Sequence, residues 1–255
     1  MNQFIGLVKK DWFWIRTEIY VALGFYAVGL PLLSLLLQKS VAKGYTLHEV
    51  IVGFSGLTIL LGIIMPSIVL ICLLHHDMKH PDIWLHTTAS STKLFGVKIL
   101  HAGLTGLGIF LVTGVVVTLS YFPADISYSL YTLVISELSI LLLLLYISFG
   151  SAINTLFFWV LFQVMRPSLR KFSLPIALIL YILYFVVYIK LGSTAFYKEH
   201  LNFGEINFGA FKQETGALSL EAEAMFYVGD IAFDLILTIT MFLIAIFLFN
   251  RKVRC

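Results

Sequence analysis

Long apolar runs separated by short polar breaks are the dominant pattern along this chain. Runs of about 20 apolar residues are long enough to cross about 30 Å of hydrocarbon as helices. Six such runs are predicted as spans: Thr17–Leu37, Val50–Leu74, Leu94–Tyr121, Ser129–Met165, Phe172–Leu191 and Phe226–Phe249. Pro31 and Pro66 fall inside the first two and are expected to kink them. The fourth run is nearly twice the length a bilayer needs, and Gly150-Ser151 is a possible division point within it.

Before the first span, residues 1–16 read MNQFIGLVKKDWFWIR. Phe4, Leu7, Val8, Trp12 and Ile15 share one helical face, with Lys9, Lys10 and Arg16 opposite, while Asp11 and Phe13 interrupt the pattern. This composition predicts an amphipathic helix lying in the membrane interface, with tryptophans at headgroup depth.

Charge sets the orientation. With six spans, twelve of the seventeen Lys and Arg residues fall on the side of the two termini, among them Arg166, Arg170 and Lys171. A division at Gly150-Ser151 would put those three on the other side. The positive-inside rule therefore predicts six spans with both termini in the cytoplasm; the long fourth run then bends or extends beyond the lipid, with one bent helix and two elements both open. The fold class expected is an all-α polytopic membrane protein, one transmembrane domain over residues 1–255. A cytoplasmic loop at 75–93 and an extracellular loop at 192–225 complete it. The outer loop carries Glu199, Glu205, Glu214, Glu221 and Glu223, and its end, SLEAEAMF, has helical propensity. A helix at the outer leaflet and a solvated acidic loop are both open there.

Composition agrees with a lipid environment: 60% of the 255 residues are hydrophobic and 12% charged, against roughly 25% charged in soluble domains. A net charge of +3 gives no argument for nucleic acid. The two cysteines, Cys72 and Cys255, make neither a disulfide framework nor a zinc spacing.

The longest polar break on the positive side is His75–Lys98, HHDMKHPDIWLHTTASSTKLFGVK. His75, His76, Asp77, His80, Asp82 and His86 fit no standard zinc motif, and HExxH is absent. Pro81 suits the first turn of a short helix, with Asp82 at the positive end of its dipole and Ile83-Trp84-Leu85 as a compact apolar patch.

This loop and the topology resemble the permease subunits of ABC-2-type transporters. In those proteins an amphipathic N-terminal helix precedes six spans. Acidic and basic residues, an apolar helical stretch, small residues and a Lys-containing start to span three follow in the loop after span two. The matching residues here are Asp77-Met78-Lys79, Asp82-Ile83-Trp84-Leu85, Thr87-Thr88-Ala89-Ser90-Ser91 and Lys93-Leu94-Phe95-Gly96-Val97-Lys98. The resemblance implies a coupling helix, Asp82, Ile83, Trp84, Leu85 and His86, docked on a separate ABC ATPase. It also implies a second permease subunit, identical or different, and export rather than import. No G-x-x-x-x-G-K-[ST] sequence occurs in the chain, so ATP and magnesium would belong to the partner ATPase, with no cofactor, metal or catalytic residue on this chain.

Three acids fall within the spans. Glu137, Asp230 and Asp234 are expected in the outer half of the membrane, with Asp230 and Asp234 one turn apart on one face. Ionisable groups at such depth face a bundle interior or a wet cavity. The functional reading is an acidic lining for the exit half of a translocation pathway; the plainer reading is helix–helix hydrogen bonding. Amphipathic or cationic peptides of the toxin or antimicrobial type are the expected cargo, with other hydrophobic molecules open. The alternatives are a secondary transporter or channel that uses Glu137 and Asp234, and, more remotely, an intramembrane protease. The last rests on Gly53-Phe54-Ser55-Gly56, a G-x-S-G string as in rhomboid proteases, with His101 in the next span. Opposite ends of antiparallel helices would keep Ser55 and His101 apart. Tyr181, Tyr184, Phe185 and Tyr188 recur at helical spacing and are expected to pack rather than bind.

Overall fold

The computed structural model describes residues 2–40, 44–79, 89–121, 130–207 and 225–253. The chain forms two compact units, Met1–Ala152 and Ile153–Cys255, which divide within one long helix. It is a helical, multi-pass membrane protein. Among the described residues, five helical stretches are long and apolar enough to cross a membrane: Gln3–Ser40, Leu47–Asp77, Ser91–Ser120, Ile140–Gly192 and Val228–Lys252.

The first unit is built on α1 (Asn2–Ser40), α2 (Leu47–Asp77) and α3 (Ser91–Tyr121), with the first part of α4 (Leu130–Leu169). A capping box starts α2. Glu49 N–H donates to Thr46 Oγ1 at 3.3 Å, and Thr46 N–H donates to Glu49 Oε2 at 2.7 Å, which satisfies two otherwise orphaned donors. α2 and α3 run antiparallel. At one end Asp77 meets Lys98; at the other His48 Nδ1 lies 2.8 Å from Ser120 Oγ; Thr58 and Thr113 face each other between them. Leu70, Leu73, Leu74, Phe95, Val97, Ala102 and Ile109 form the buried core.

One expectation is corrected by α1. Residues 2–16 are no separate interfacial helix but the first turns of a helix that continues unbroken to Ser40. At about 1.5 Å per residue it is about 58 Å long, far more than the hydrocarbon requires. Pro31 and Pro66 both lie inside unbroken helices. α4 is also continuous through Gly150-Ser151.

The second unit holds the rest of α4, then a 3-10 turn at Arg170–Phe172, α5 (Ser173–Gly192), α6 (Ala195–Leu201), a short strand pair and α7 (Val228–Lys252). Arg170 takes a left-handed φ of 45°, which ends α4 as a left-handed cap does. The chain then folds back: Phe158 on α4 packs edge-on against Tyr181 of α5 at 5.1 Å between ring centroids, and also meets Tyr184. The single apolar stretch Ile140–Gly192 is therefore two antiparallel helices. Outward residues of α5 such as Leu178, Ile179, Ile182, Val186 and Ile189 are exposed and apolar, as lipid contact demands.

Thr194 caps α6, accepting from Tyr197 N–H at 3.3 Å. β1 (Glu205–Asn207) pairs antiparallel with β2 (Met225–Tyr227), Ile206 opposite Phe226. Gly204, with a left-handed φ of 68°, turns the chain into β1. The loop between α5 and α7 thus contains a helix near its start, and α7 begins at Val228 rather than Phe226. The segment SLEAEAMF falls mostly outside the described residues.

Glycines set how closely the first unit packs. A Cβ on Gly103 would enter the ring of Phe149 on α4, and one on Gly62 would stand 2.5 Å from Phe110. Small residues that let backbones approach replace the hydrophobic drive that lipid does not supply. Gly56, by contrast, has nothing within 4 Å of its Cβ position. Gly103→Ala is expected to destabilise the protein by about 1–3 kcal/mol through overpacking. Gly56→Ala is expected to be neutral or to stabilise by up to about 1 kcal/mol through helix propensity. Thermal unfolding of the two variants in detergent checks the contrast.

Candidate functional site

Where α1, the end of α2 and the start of α3 meet, four charged side chains form a chain of ion pairs. Lys10 Nζ lies 2.9 Å from Asp77 Oδ1, Lys98 Nζ 2.6 Å from Asp77 Oδ2, and Lys98 Nζ 3.2 Å from Asp11 Oδ2. Asp11, Asp77 and Lys98 are buried: the Lys98 side chain is 2% exposed, whereas that of Lys10 is 55% exposed. Two positive and two negative charges make the group electroneutral, which allows it to sit away from water.

Each member is placed by its helix. Asp11 lies on the stripe Val8, Asp11, Trp12, Ile15, Ile19 at helical spacing, and Asp11, Ile15 and Ile19 are buried. The residue that interrupts the apolar pattern therefore sits inside the packed face, where it finds Lys98. Lys98 lies between Val97 and Ile99, both buried, in the second turn of α3. Asp77 is the last residue of α2.

Aromatic contacts surround the group. His101 Nε2 lies 3.1 Å from the Val8 carbonyl, an acceptor only, so this nitrogen carries the proton and donates. Trp12 packs edge-on to His101, and Trp14 stacks on His76 with centroids 4.1 Å apart. α1 is thus tied to both other helices by charge and by rings.

Asp82, Ile83, Trp84, Leu85 and His86, expected as the docking patch, lie outside the described residues, as do His80 and Pro81. The flanking residues of the same loop are described, and Asp77 and Lys98, at its two ends, are the pair joined at 2.6 Å. Sequence reasoning placed both in the loop motif but missed their pairing and the role of Asp11. The available signals were a lone acid in a basic leader and a lysine one turn inside an apolar run.

The three acids expected within the spans are placed as follows. On α7, Asp234 accepts a hydrogen bond from Tyr188 Oη of α5 at 2.5 Å. Asp230 lies in the first turn of α7, where the helix dipole favours a carboxylate; its Oδ1 is buried without a hydrogen-bond partner among the described residues. Glu137 lies on α4 in the first unit, and its side chain is outside the described residues. Tyr181 and Tyr184 pack on Phe158, and Tyr184 stacks on Tyr188 with centroids 6.2 Å apart.

Ser55 and His101 are not brought together. Ser55 Oγ donates to the Val52 carbonyl at 2.6 Å, toward the His48–Ser120 end of the α2–α3 pair. His101 is held at the opposite end by Val8. Among the described residues no group of three His, Cys, Asp or Glu side chains could hold a metal ion.

No family model, no curated protein and no solved structure matches the chain.

Removing Lys98 leaves Asp11 buried without its ion-pair partner, and breaking one side of a buried pair typically destabilises by about 3–5 kcal/mol. Lys98→Met is expected to lower stability by that order. Lys10→Met is expected to change it by no more than about 1 kcal/mol, because Lys10 is half exposed. Denaturation of the purified variants in detergent measures both.

Proposed function

We propose that this protein is the permease subunit of an ATP-driven ABC exporter. It has six spans, both termini in the cytoplasm, and a place in a bacterial plasma membrane. Two permease subunits, identical or different, would work with separate cytoplasmic ATPases that bind ATP and magnesium. One observation carries the reading: the loop that resembles an ABC-2 coupling loop springs from two helix ends joined by the buried Asp77–Lys98 pair and tied through Asp11 to α1. A loop on such a base can pass movement to three helices. A loop on frayed helix ends would dissipate it.

The docking patch in this proposal is Asp82, Ile83, Trp84, Leu85 and His86, with Trp84 as the aromatic anchor. Glu137, Asp230 and Asp234 would line the exit half of the pathway and favour amphipathic or cationic peptides, or other hydrophobic cargo. The fold-back of α4 and α5 supports the six-span count, since it turns one long apolar stretch into two helices.

A second reading, a secondary transporter or channel, draws on Asp234 and its bond from Tyr188 within the apolar helices. Such a carrier would transport under an ion gradient when reconstituted alone, whereas a permease would need its ATPase and ATP.

Trp84→Asp tests the docking assignment. Loss of an aromatic anchor from an interface centre removes about 2 kcal/mol or more, so the co-purifying ATPase is expected to fall at least tenfold. An unchanged yield contradicts the assignment. For the pathway, Asp234→Asn is expected to reduce export of a cationic peptide while sparing a neutral analogue of equal length. Equal transport of both by variant and parent removes Asp234 from the lining.

A further inference from the structure

The ion-pair chain has an asymmetry that separates its three helices by role. Its members alternate, Lys10, Asp77, Lys98, Asp11, and two of them, Asp77 and Lys98, each touch two partners. The middle link, Lys98–Asp77, joins α2 to α3. The outer links, Lys10–Asp77 and Lys98–Asp11, each join α1 to one of those helices.

Consider which link can open. If the middle link breaks, Asp77 retains Lys10 and Lys98 retains Asp11, so every charge is still paired. If α1 withdraws, both outer links break together and Asp11 leaves its only ion pair among the described residues. Departure of α1 breaks two ion pairs at once, whereas opening the middle link breaks one and leaves no buried charge alone. Electrostatics therefore permits the ends of α2 and α3 to part while α1 holds each of them, and resists departure of α1. The surrounding rings act in the same sense: Trp14 on His76 ties α1 to α2, and Trp12 and the Val8 carbonyl on His101 tie it to α3.

We propose that the N-terminal segment of α1 is a pivot, and that the ends of α2 and α3 open and close about it by breaking and remaking Lys98–Asp77. The half-exposed Lys10 then has a role its exposure would not suggest. It holds Asp77 in the open arrangement. Asp11 holds Lys98 in the same way. Removing either one leaves a middle-link partner uncompensated when the helices part, so both substitutions favour the closed arrangement. This inference depends on no assignment of cargo, direction or energy source.

Spin labels at Lys79→Cys and Lys93→Cys report the α2–α3 separation, from exposed positions outside the ion-pair chain. Cys72→Ser and Cys255→Ser remove the native thiols. In lipid nanodiscs, double electron–electron resonance on the full chain is expected to give two distance populations. In the Lys10→Met and Asp11→Asn backgrounds the longer population is expected to fall at least fivefold, with the shorter one retained. Labels at Lys9→Cys and Lys93→Cys, which report α1 against α3, are expected to give one distance throughout. A single Lys79–Lys93 distance that neither substitution alters makes the chain a static tie and overturns the proposal. So does a Lys9–Lys93 distance that splits while Lys79–Lys93 stays single, since α1 would then be the moving part. Lys10→Arg keeps the charge and is expected to retain both populations; loss of the longer one in Lys10→Arg as well would trace the effect to packing and not to charge, and would equally overturn it.

Discussion

The first unit depends on one buried ammonium shared between two carboxylates. Lys98 reaches Asp77 on α2 and Asp11 on α1 from a position where its own helix is otherwise apolar. An isolated charge there would be far too costly to keep; two carboxylates from two different helices make it tolerable. The requirement runs both ways. Neither Asp11 nor Asp77 can be buried unless α1 and α2 arrive in the register that Lys98 sets. Apolar packing among helices in lipid discriminates poorly between registers, because lipid tails solvate leucine as well as another helix does. The ion pairs supply the specificity that packing lacks.

Other features of the unit follow from that register. Placing Asp77 against Lys98 brings Gly62 opposite Phe110 and His48 opposite Ser120 along the same antiparallel pair. The glycines of α3 then admit Phe149 and Ser148 of α4 at distances a Cβ would forbid. The second unit uses different means. Aromatic edges join α4 to α5, Tyr188 bonds Asp234 between α5 and α7, and Tyr197 packs on Phe233 between α6 and α7. Each unit therefore has polar contacts between helices, and in the first they include ion pairs.

Hydropathy made the long helices legible, because about 20 apolar residues in a row leave little choice of structure. The continuity of α4 through Gly150-Ser151 agrees with an undivided fourth run, since neither residue breaks the helix there. The continuity of α1 was not legible. Lys9, Lys10 and Arg16 look like a boundary between an interfacial segment and a span, yet Lys and Arg are good helix formers and nothing in residues 14–19 breaks a helix. Asp11 was misread for a related reason: a helical wheel scores an acid on an apolar face as a defect, and only a partner 87 residues away makes it a contact. The start of the last span shifted because Met225–Tyr227 pairs with Glu205–Asn207, a pairing across a loop that no local pattern encodes.

The functional reading inherits the same division. The resemblance of His75–Lys98 to a coupling loop comes from sequence, while the structure supplies the helix ends on either side of it, bound to each other and to α1 through shared charges. Whether those charges act as one unit is open to direct measurement. A double-mutant cycle on Asp11→Ala and Lys98→Met, read by unfolding free energies in detergent, isolates their coupling. Interacting groups in one network are expected to couple by about 0.5–3 kcal/mol, the double variant being less destabilised than the sum of the two single ones. Additivity within about 0.5 kcal/mol would mean that Asp11 and Lys98 do not interact, and would contradict a first unit organised by a shared buried lysine.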